Sequence, residues 1–410
     1  MNRLTKVVLI SISLLVFAYV GLGYALGKAA DEKAYRSLIV YGEVLQKVQQ
    51  DYVDEPNLPM VTSGALHGLL ESLDPQSSYL TPREYTEYKQ KLQNSKIGET
   101  GVTLSKRFGY VMVVSVLPDS PAQKAGVRNG DIFESIAGFT TRDMSVGQAL
   151  NLLAGDPGTG VKASVVRRGR TQTQEADLVR ARLALQKIVS EKIDPDILVL
   201  RLPTLEAGRA DEVRERLLQA ERQGIRKVIL DVRDCGRGDV SEAVRIAQLF
   251  LNSGAISNLS GQTVSRQVTY ADPAKVVWKG PLSVLINTST SGAAEILASA
   301  VVSRRRGDVV GERTFGLASE QKLIPLEDGS AIILTVANYL NPNEKPILEE
   351  GVTPTEVVRT SAARDDDTDD DTPGAANNKE PQVEPRPLSP DDPVLRKAIE
   401  LLKAPAQKAA

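Results

Sequence analysis

The sequence predicts a multidomain chain of the α+β and α/β classes. It comprises an N-terminal membrane helix, a helical segment, a small strand-rich domain, a mostly parallel βα core and a disordered acidic tail. Three observations carry this prediction. At 410 residues the chain exceeds one ordinary domain, and 41% hydrophobic with 25% charged residues suits a globular body with a real core. From Ile197 onward, short apolar runs alternate with helical periods, which indicates parallel strands with covered faces. Beyond Val358 the apolar residues give way to an acidic, proline-rich stretch. Composition also excludes functions. Lys plus Arg number 50 against 52 Asp plus Glu, a net charge of −2, whereas a nucleic-acid binder needs a basic excess. One Cys and one His leave no disulfide framework, no thiolate cluster and no multi-His site, so neither metal nor cofactor is expected.

Arg3 and Lys6 precede an uncharged run from Val7 to Gly27, long enough to cross a bilayer as one helix. The basic flank predicts a cytoplasmic N-terminus and export of the remainder, which places the chain at the inner membrane facing the periplasm. The rival reading is a cleaved signal peptide with a poor site at Ala25-Leu26-Gly27, which would release the chain to the periplasm. From Ala34 to about Leu92 the pattern is helical. Tyr41, Val44, Leu45 and Val48 form one apolar stripe, and Leu66, Leu69, Leu70 and Leu73 form another before Asp74-Pro75 breaks the helix. His67 lies among those leucines with no Ser or Asp in a recognisable arrangement, so it reads as a helix residue without chemistry.

Between Ile97 and Arg170 strands and glycines take over. Tyr110 to Val116 reads as a strand, Ser120-Pro121-Ala122 as a capped helix start closed by Gly126, and Ile132 to Ile136 as a strand after Gly130-Asp131. A second helix spans Ser145 to Leu153, and a strand Val161 to Val166. The segment Ser120-Pro121-Ala122-Gln123-Lys124-Ala125-Gly126-Val127-Arg128-Asn129-Gly130-Asp131 resembles the signature of PDZ domains of exported proteases, and Gly158-Thr159-Gly160-Val161 continues it. The resemblance implies a permuted PDZ domain that captures peptide C-termini by strand addition, with loop amides on the terminal carboxylate. Its candidate loop is Gly98, Glu99, Thr100, Gly101 and Val102, where Glu99 is expected to repel a carboxylate; a merely structural loop is the alternative.

Strands are expected at Ile197 to Leu200, Val228 to Val232 and Pro281 to Ile286, and helices at Ala210 to Gln223, Val240 to Leu251 and Ala293 to Ser303. Ligand sites in such sheets gather at the C-terminal strand ends, here Arg233–Asp239 and Asn287–Ala294. The run Asp365 to Asp371 reads as solvated tail rather than a calcium loop, because the glycine and distal Glu of such a loop are missing. Pro393 to Lys403 predicts a terminal helix with Leu395, Ile399 and Leu402 on one side. The expected boundaries are 1–30 for the anchor or signal, 31–95 for the helical region and 96–172 for the PDZ domain. The core then spans 173–358, the acidic disordered linker 359–392, and the last helix and tail 393–410.

From Tyr41 to about Val357, roughly three-quarters of the chain, ordered landmarks resemble the C-terminal processing peptidases, or tail-specific proteases. They include Leu73-Asp74-Pro75, Ser78-Tyr79-Leu80-Thr81-Pro82, Leu230-Asp231-Val232-Arg233, Glu295-Ile296, Val310-Gly311-Glu312-Arg313-Thr314-Phe315-Gly316 and Gly351-Val352-Thr353-Pro354. The resemblance implies a core of the tail-specific protease type, with a nucleophilic Ser, a neutral Lys as its base and a Gln that orients the Lys. The matching positions hold Gly292, Leu317 and Gln321, so only the Gln stands. Glycine offers no nucleophile and leucine no base. In the oxyanion turn Arg237 replaces the first of two glycines before Gly238, and is expected to crowd the amides of Gly238 and Ala293. Ser291 and Lys322 are the weak substitutes, expected to point away from the site. Cys235, beside Arg233 and Arg237, reads as a packed residue rather than a reactive thiol.

The function expected from these residues is a non-catalytic homologue that binds peptide segments or protein C-termini as an adaptor or scaffold. The alternative is an active serine endopeptidase with a relocated nucleophile. Expected partners are peptide or protein C-terminal segments, the membrane through the N-terminal helix, and a second copy or an active protease; nucleic acid is not among them.

Overall fold

The computed structural model describes residues 36–93, 96–107, 109–167, 172–341, 343–359, 388–389 and 391–404. The anchor expected over 1–30 and the acidic run at 365–371 lie outside these residues. Among the described residues no helix is long and apolar enough to cross a membrane. The chain divides at Ala65 into two compact units. The first contains helix α1 over 36–51. Helix α2 (Leu58–Glu71) follows.

From Leu66 onward, the helical region departs from expectation. The Asp74-Pro75 break leads into a strand, β1 (Ser78–Leu80), before α3 (Pro82–Gln93). Asp74 explains the turn: its Oδ1 accepts the amides of Gln76 and Ser77, and its Oδ2 the Ser77 hydroxyl at 2.6 Å. The sequence reading missed β1 because a three-residue strand shows no periodicity, and its partner lies some 250 positions away.

The small domain is built from β2 (Val102–Arg107), β3 (Tyr110–Val116), α4 (Pro121–Lys124), β4 (Ile132–Ile136), β5 (Phe139–Thr140), α5 (Val146–Leu153), β6 (Gly160–Val166) and β7 (Thr173–Val179). Its sheet runs β2-β3-β4-β6-β7, so among the described residues β2 has one edge with no strand beside it. Both helices start as the sequence predicts. Ser120 caps α4, and Ser145 with Gln148 forms a capping box on α5. The domain runs past the expected boundary at residue 172, because β7 pairs with β6 along its whole length.

The core begins with β8 (Val189–Asp194), β9 (Ile197–Arg201), α6 (Arg209–Arg222), β10 (Lys227–Asp231) and α7 (Val240–Gln248). It continues through β11 (Ala255–Ser260), β12 (Gln267–Tyr270), β13 (Leu282–Ile286), α8 (Ala293–Ser303), β14 (Asp308–Gly311), β15 (Ser319–Pro325), β16 (Ala331–Tyr339), β17 (Glu356–Val357) and α9 (Pro393–Lys403). One sheet, ordered β17-β14-β13-β10-β9-β8, is parallel except at β8, which pairs antiparallel with β9. The strands β10 and β13 are mostly apolar and almost wholly buried, as covered faces require, with Val228-Ile229-Leu230 at the centre of β10 and Ser283 the one polar residue of β13. A second, antiparallel sheet of β1, β16, β15, β11 and β12 was not expected.

The terminal helix α9 covers one face of the parallel sheet, setting Val394, Leu395, Ala398 and Leu402 against Ile197, Val199, Ile229, Leu285 and Val310. Each fully buried aliphatic side chain of this kind contributes about 1.5–3 kcal/mol. A buried ion chain fixes the start of α9. Asp392 accepts the amides of Val394 and Leu395, and contacts Arg233 Nη1 at 2.7 Å. Arg233 in turn donates to both oxygens of the wholly buried Asp231, at 2.9 and 2.8 Å.

Burial alone would raise the Asp231 carboxyl, but the Arg233 guanidinium outweighs it and holds the group below the usual range. Its stabilising effect is therefore full above the unfolded value near 4 and is lost as pH falls through the folded value. Trp278 is buried in the core and reports its unfolding. In denaturation followed by its fluorescence, the stability difference between wild type and Asp231→Asn should be constant from pH 7 to about 4 and shrink below. Asp231→Asn should cost about 3 kcal/mol at pH 7.

Candidate functional site

Three loops leave the C-terminal ends of β10, β13 and β14, where a parallel sheet gathers its ligand sites. They are stitched together by backbone bonds. Ser291 N–H donates to Cys235 O at 3.0 Å, and Phe315 N–H to Thr290 O at 3.0 Å. The side chain of Asn287 takes the Asp234 amide and donates to the Asp234 carboxylate at 2.8 Å. Asp234 needs that support, since its φ of 61° is a left-handed conformation without glycine's freedom.

The β13–α8 turn ends at Gly292, with φ 61° and ψ −122°. A residue bearing a Cβ would pay about 1–3 kcal/mol to hold such a backbone. Glycine avoids that strain, and a Cβ built there would meet no heavy atom within 4 Å. Glu295, wholly buried at the third position of α8, binds this turn to the loop after β14. Its Oε1 accepts the Thr314 hydroxyl and the Gly316 amide, and its Oε2 accepts the amides of Gly292, Leu317 and Ala318. Burial nevertheless pushes the carboxyl up, against the pull of those hydrogen bonds. The backbone around Gly292 and Leu317 is thus held by the same side chain.

Leu317 is half-buried and lines a cleft of about 290 Å³ with Pro75, Lys106, Phe315 and Leu348 among its walls. Arg107, at the end of β2, stacks over the Phe315 ring at 4.5 Å on the same cleft. Gln321 and Lys322 both lie exposed on β15, paired with Thr335 and Leu334 of β16. Ser291 is 1% exposed, and its Oγ has no hydrogen-bond partner. That oxygen lies 3.0 Å from where a Cβ on Gly236 would stand, in company with Ser115 Oγ and Thr103 Oγ1. A buried hydroxyl and an exposed amine do not make a nucleophile–base pair.

The turn after β10 corrects two expectations. Arg237 does not lie over the amide of Gly238. Its guanidinium donates to Glu99 Oε2 at 2.5 Å and Oε1 at 3.2 Å, and to Glu206 Oε1 at 3.1 Å. Gly238 is left exposed, at φ 146°, where a Cβ would come within 2.5 Å of Leu205. Glu99 does not stand as an uncompensated charge in a carboxylate pocket, because Arg237 neutralises it. The amides of Gly98 and Glu99 are also committed, to Gly155 O at 2.7 Å and Ala181 O at 2.9 Å. Of the five expected loop residues, Thr100, Gly101 and Val102 remain at the start of β2, with Gly101 pressed against Ser120.

The same turn makes further contacts with the small domain that sequence reasoning did not find. Asn129 donates to Asp234 Oδ1 at 2.8 Å, and Thr103 to Gly236 O at 3.1 Å. Asn129 stands inside the recognised signature, but a link over 105 positions leaves no mark on a local pattern. Cys235 is 1% exposed, and burial pushes its thiol up to about 12, so it is a packed residue. His67 is half-buried, its Nε2 3.2 Å from Gln148 Nε2 and its ring edge-on to Tyr79, with no hydroxyl nucleophile at hand.

Two results should follow. Cys235 should resist Ellman's reagent at pH 8 in the folded protein and react within minutes in denaturant. Glu295→Gln preserves shape but turns an amide NH2 toward at least two of the five donors. It should lower stability by about 2–4 kcal/mol, measured by the same Trp278 unfolding.

Comparison with known proteins agrees with this arrangement. Residues 196–358 match Peptidase family S41, and residues 112–167 match the PDZ domain. A carboxyl-terminal-processing protease of Synechocystis sp. is 31% identical over 310 residues, covering 72% of this chain and 71% of that protein. A carboxy-terminal-processing protease of Bartonella bacilliformis is 28% identical over 333 residues, covering 80% and 76%. Among solved structures, the photosystem II D1 C-terminal processing protease superposes with a TM-score of 0.65 at 23% identity, over 78% of this chain and 92% of that one, a likeness of fold.

Proposed function

Because the chain belongs to peptidase family S41, among the carboxy-terminal processing proteases, we propose that it is a member without hydrolytic activity that binds peptide segments or protein C-termini. One observation carries this reading. The positions matched to the family's serine and lysine hold Gly292 and Leu317, inside loops that Glu295 still holds in order. Acyl transfer needs a nucleophile, a base and oxyanion donors. Here the turn and the helix N-terminus at Ala293 persist, but the side chains that would attack and take up the proton do not. The PDZ domain, with the unpaired edge of β2, supplies the means to bind an extended chain.

The role that suits such a molecule is an adaptor, scaffold or modulator of an active protease, held at the inner membrane by residues 1–30 and facing the periplasm. Cleavage of that segment would leave it free in the same compartment. The relocated-nucleophile alternative gains no support from Ser291, whose hydroxyl is sealed in beside Gly236 while Lys322 is exposed on β15.

The test is labelling with a fluorophosphonate probe together with digestion of unfolded casein. The wild-type chain should show neither. The double variant Gly292→Ser with Leu317→Lys should gain labelling, since a Cβ at 292 meets nothing and Arg237 is turned aside. Wild-type cleavage that disappears in Ser291→Ala would overturn the proposal.

A further inference from the structure

The oxyanion turn of this chain carries a cation whose position suggests a binding role. Arg237 meets both oxygens of Glu99, the two-point geometry by which a guanidinium recognises a carboxylate. Both side chains are about 40% exposed, so the pair contributes little to stability and is open to exchange. Arg237, Gly101, Val102 and Thr103 line one small cavity of about 10 Å³, room for a single water and too small for a carboxylate. Val102 and Thr103 begin β2, whose free edge is where an added strand would lie, with its last residue near the loop before β2. Two of that loop's amides, those of Gly98 and Glu99, are already bonded elsewhere. A terminal carboxylate arriving there would gain from Arg237 a full positive charge that the loop's remaining amides do not supply.

We infer that Arg237 is the receptor for the terminal carboxylate of a bound peptide, and that Glu99 occupies it as an internal stand-in which the ligand displaces. Charge balance requires the displacement. Arg237 already faces the carboxylates of Glu99 and Glu206, so a third anion beside one guanidinium would be repelled. Departure of Glu99 frees the guanidinium and opens the small cavity together. The inference rests on the peptide-binding reading above and adds to it the group recognised and the contact that competes.

The experiment uses the full chain in mild detergent and fluorescein-labelled decapeptides ending in Ala, Val, Leu or Phe, each as the free acid and as the C-terminal amide. Fluorescence anisotropy should show tighter binding of the acids. Glu99→Gln should tighten the acids a further three- to five-fold and leave the amides unchanged, because the competing state is removed. Arg237→Gln should abolish the difference between acid and amide, and Arg237→Lys should retain part of it, which separates lost charge from lost folding. Acids that bind only after Glu99→Gln would also support the inference. Peptides that bind wild type equally as acid and amide would overturn this inference and leave peptide binding intact. No binding to wild type or to Glu99→Gln would overturn both.

Discussion

A single buried carboxylate organises the C-terminal end of the parallel sheet. Glu295 collects five donors, three of them amides of one loop, one the amide of the preceding turn and one a hydroxyl. Four of those donors are backbone groups at a helix start and in a tight loop, where no ladder can satisfy them. Removing the carboxylate from water is costly, and each donor offsets part of that cost. The position near the N-terminus of α8 adds the favourable field of the helix. The result is a clamp that, apart from the Thr314 hydroxyl, fixes backbone rather than side chains. Leu317 is bound through its N–H, and Gly292 likewise.

That indifference means the clamp does not depend on which side chains stand at 292 and 317. The turn after β10 shows the same separation. Gly238 is dictated by its backbone, for any Cβ would strike Leu205. The preceding position has no such constraint and accepts Arg237, whose long side chain reaches Glu99 and Glu206. With Asp234 holding Asn129 and Gly236 holding Thr103, one turn of the core makes three polar contacts to the small domain. Two side chains and one carbonyl of this turn thus tie the core to the small domain.

How much of this could be read from the residues follows from the range of each interaction. The buried strands β9, β10 and β13, and helices α6, α8 and α9, declare themselves through apolar runs and three- and four-residue spacing, which are local. Ser120 and Ser145 announce their caps for the same reason. The antiparallel sheet escaped, because β15 is mostly polar and exposed and β1 has only three residues. The replacements at 292 and 317 are legible as residue identities, whereas the Glu99–Arg237 pair spans 138 positions and reverses the charge argument made for either residue alone. Position-by-position reading treated each as an isolated ion. The fold shows that each is the other's counter-charge.

The residues found at 292 and 317 are ones that stability favours. A serine at 292 would hold a left-handed φ with a Cβ, at a cost of about 1–3 kcal/mol. A lysine at 317 would bring an amine to a half-buried position beside Phe315 and Leu348, where desolvation opposes its charge. Active sites tolerate such costs because the chemistry requires them. Glycine and leucine avoid both costs, and the clamp at Glu295 holds these positions through their amides whichever side chains they carry. On the proposed reading, the parts that would bind, the free edge of β2 and Arg237, are different residues from those at 292 and 317. Recognition and reaction would then rest on separate groups, so that loss of the second need not entail loss of the first.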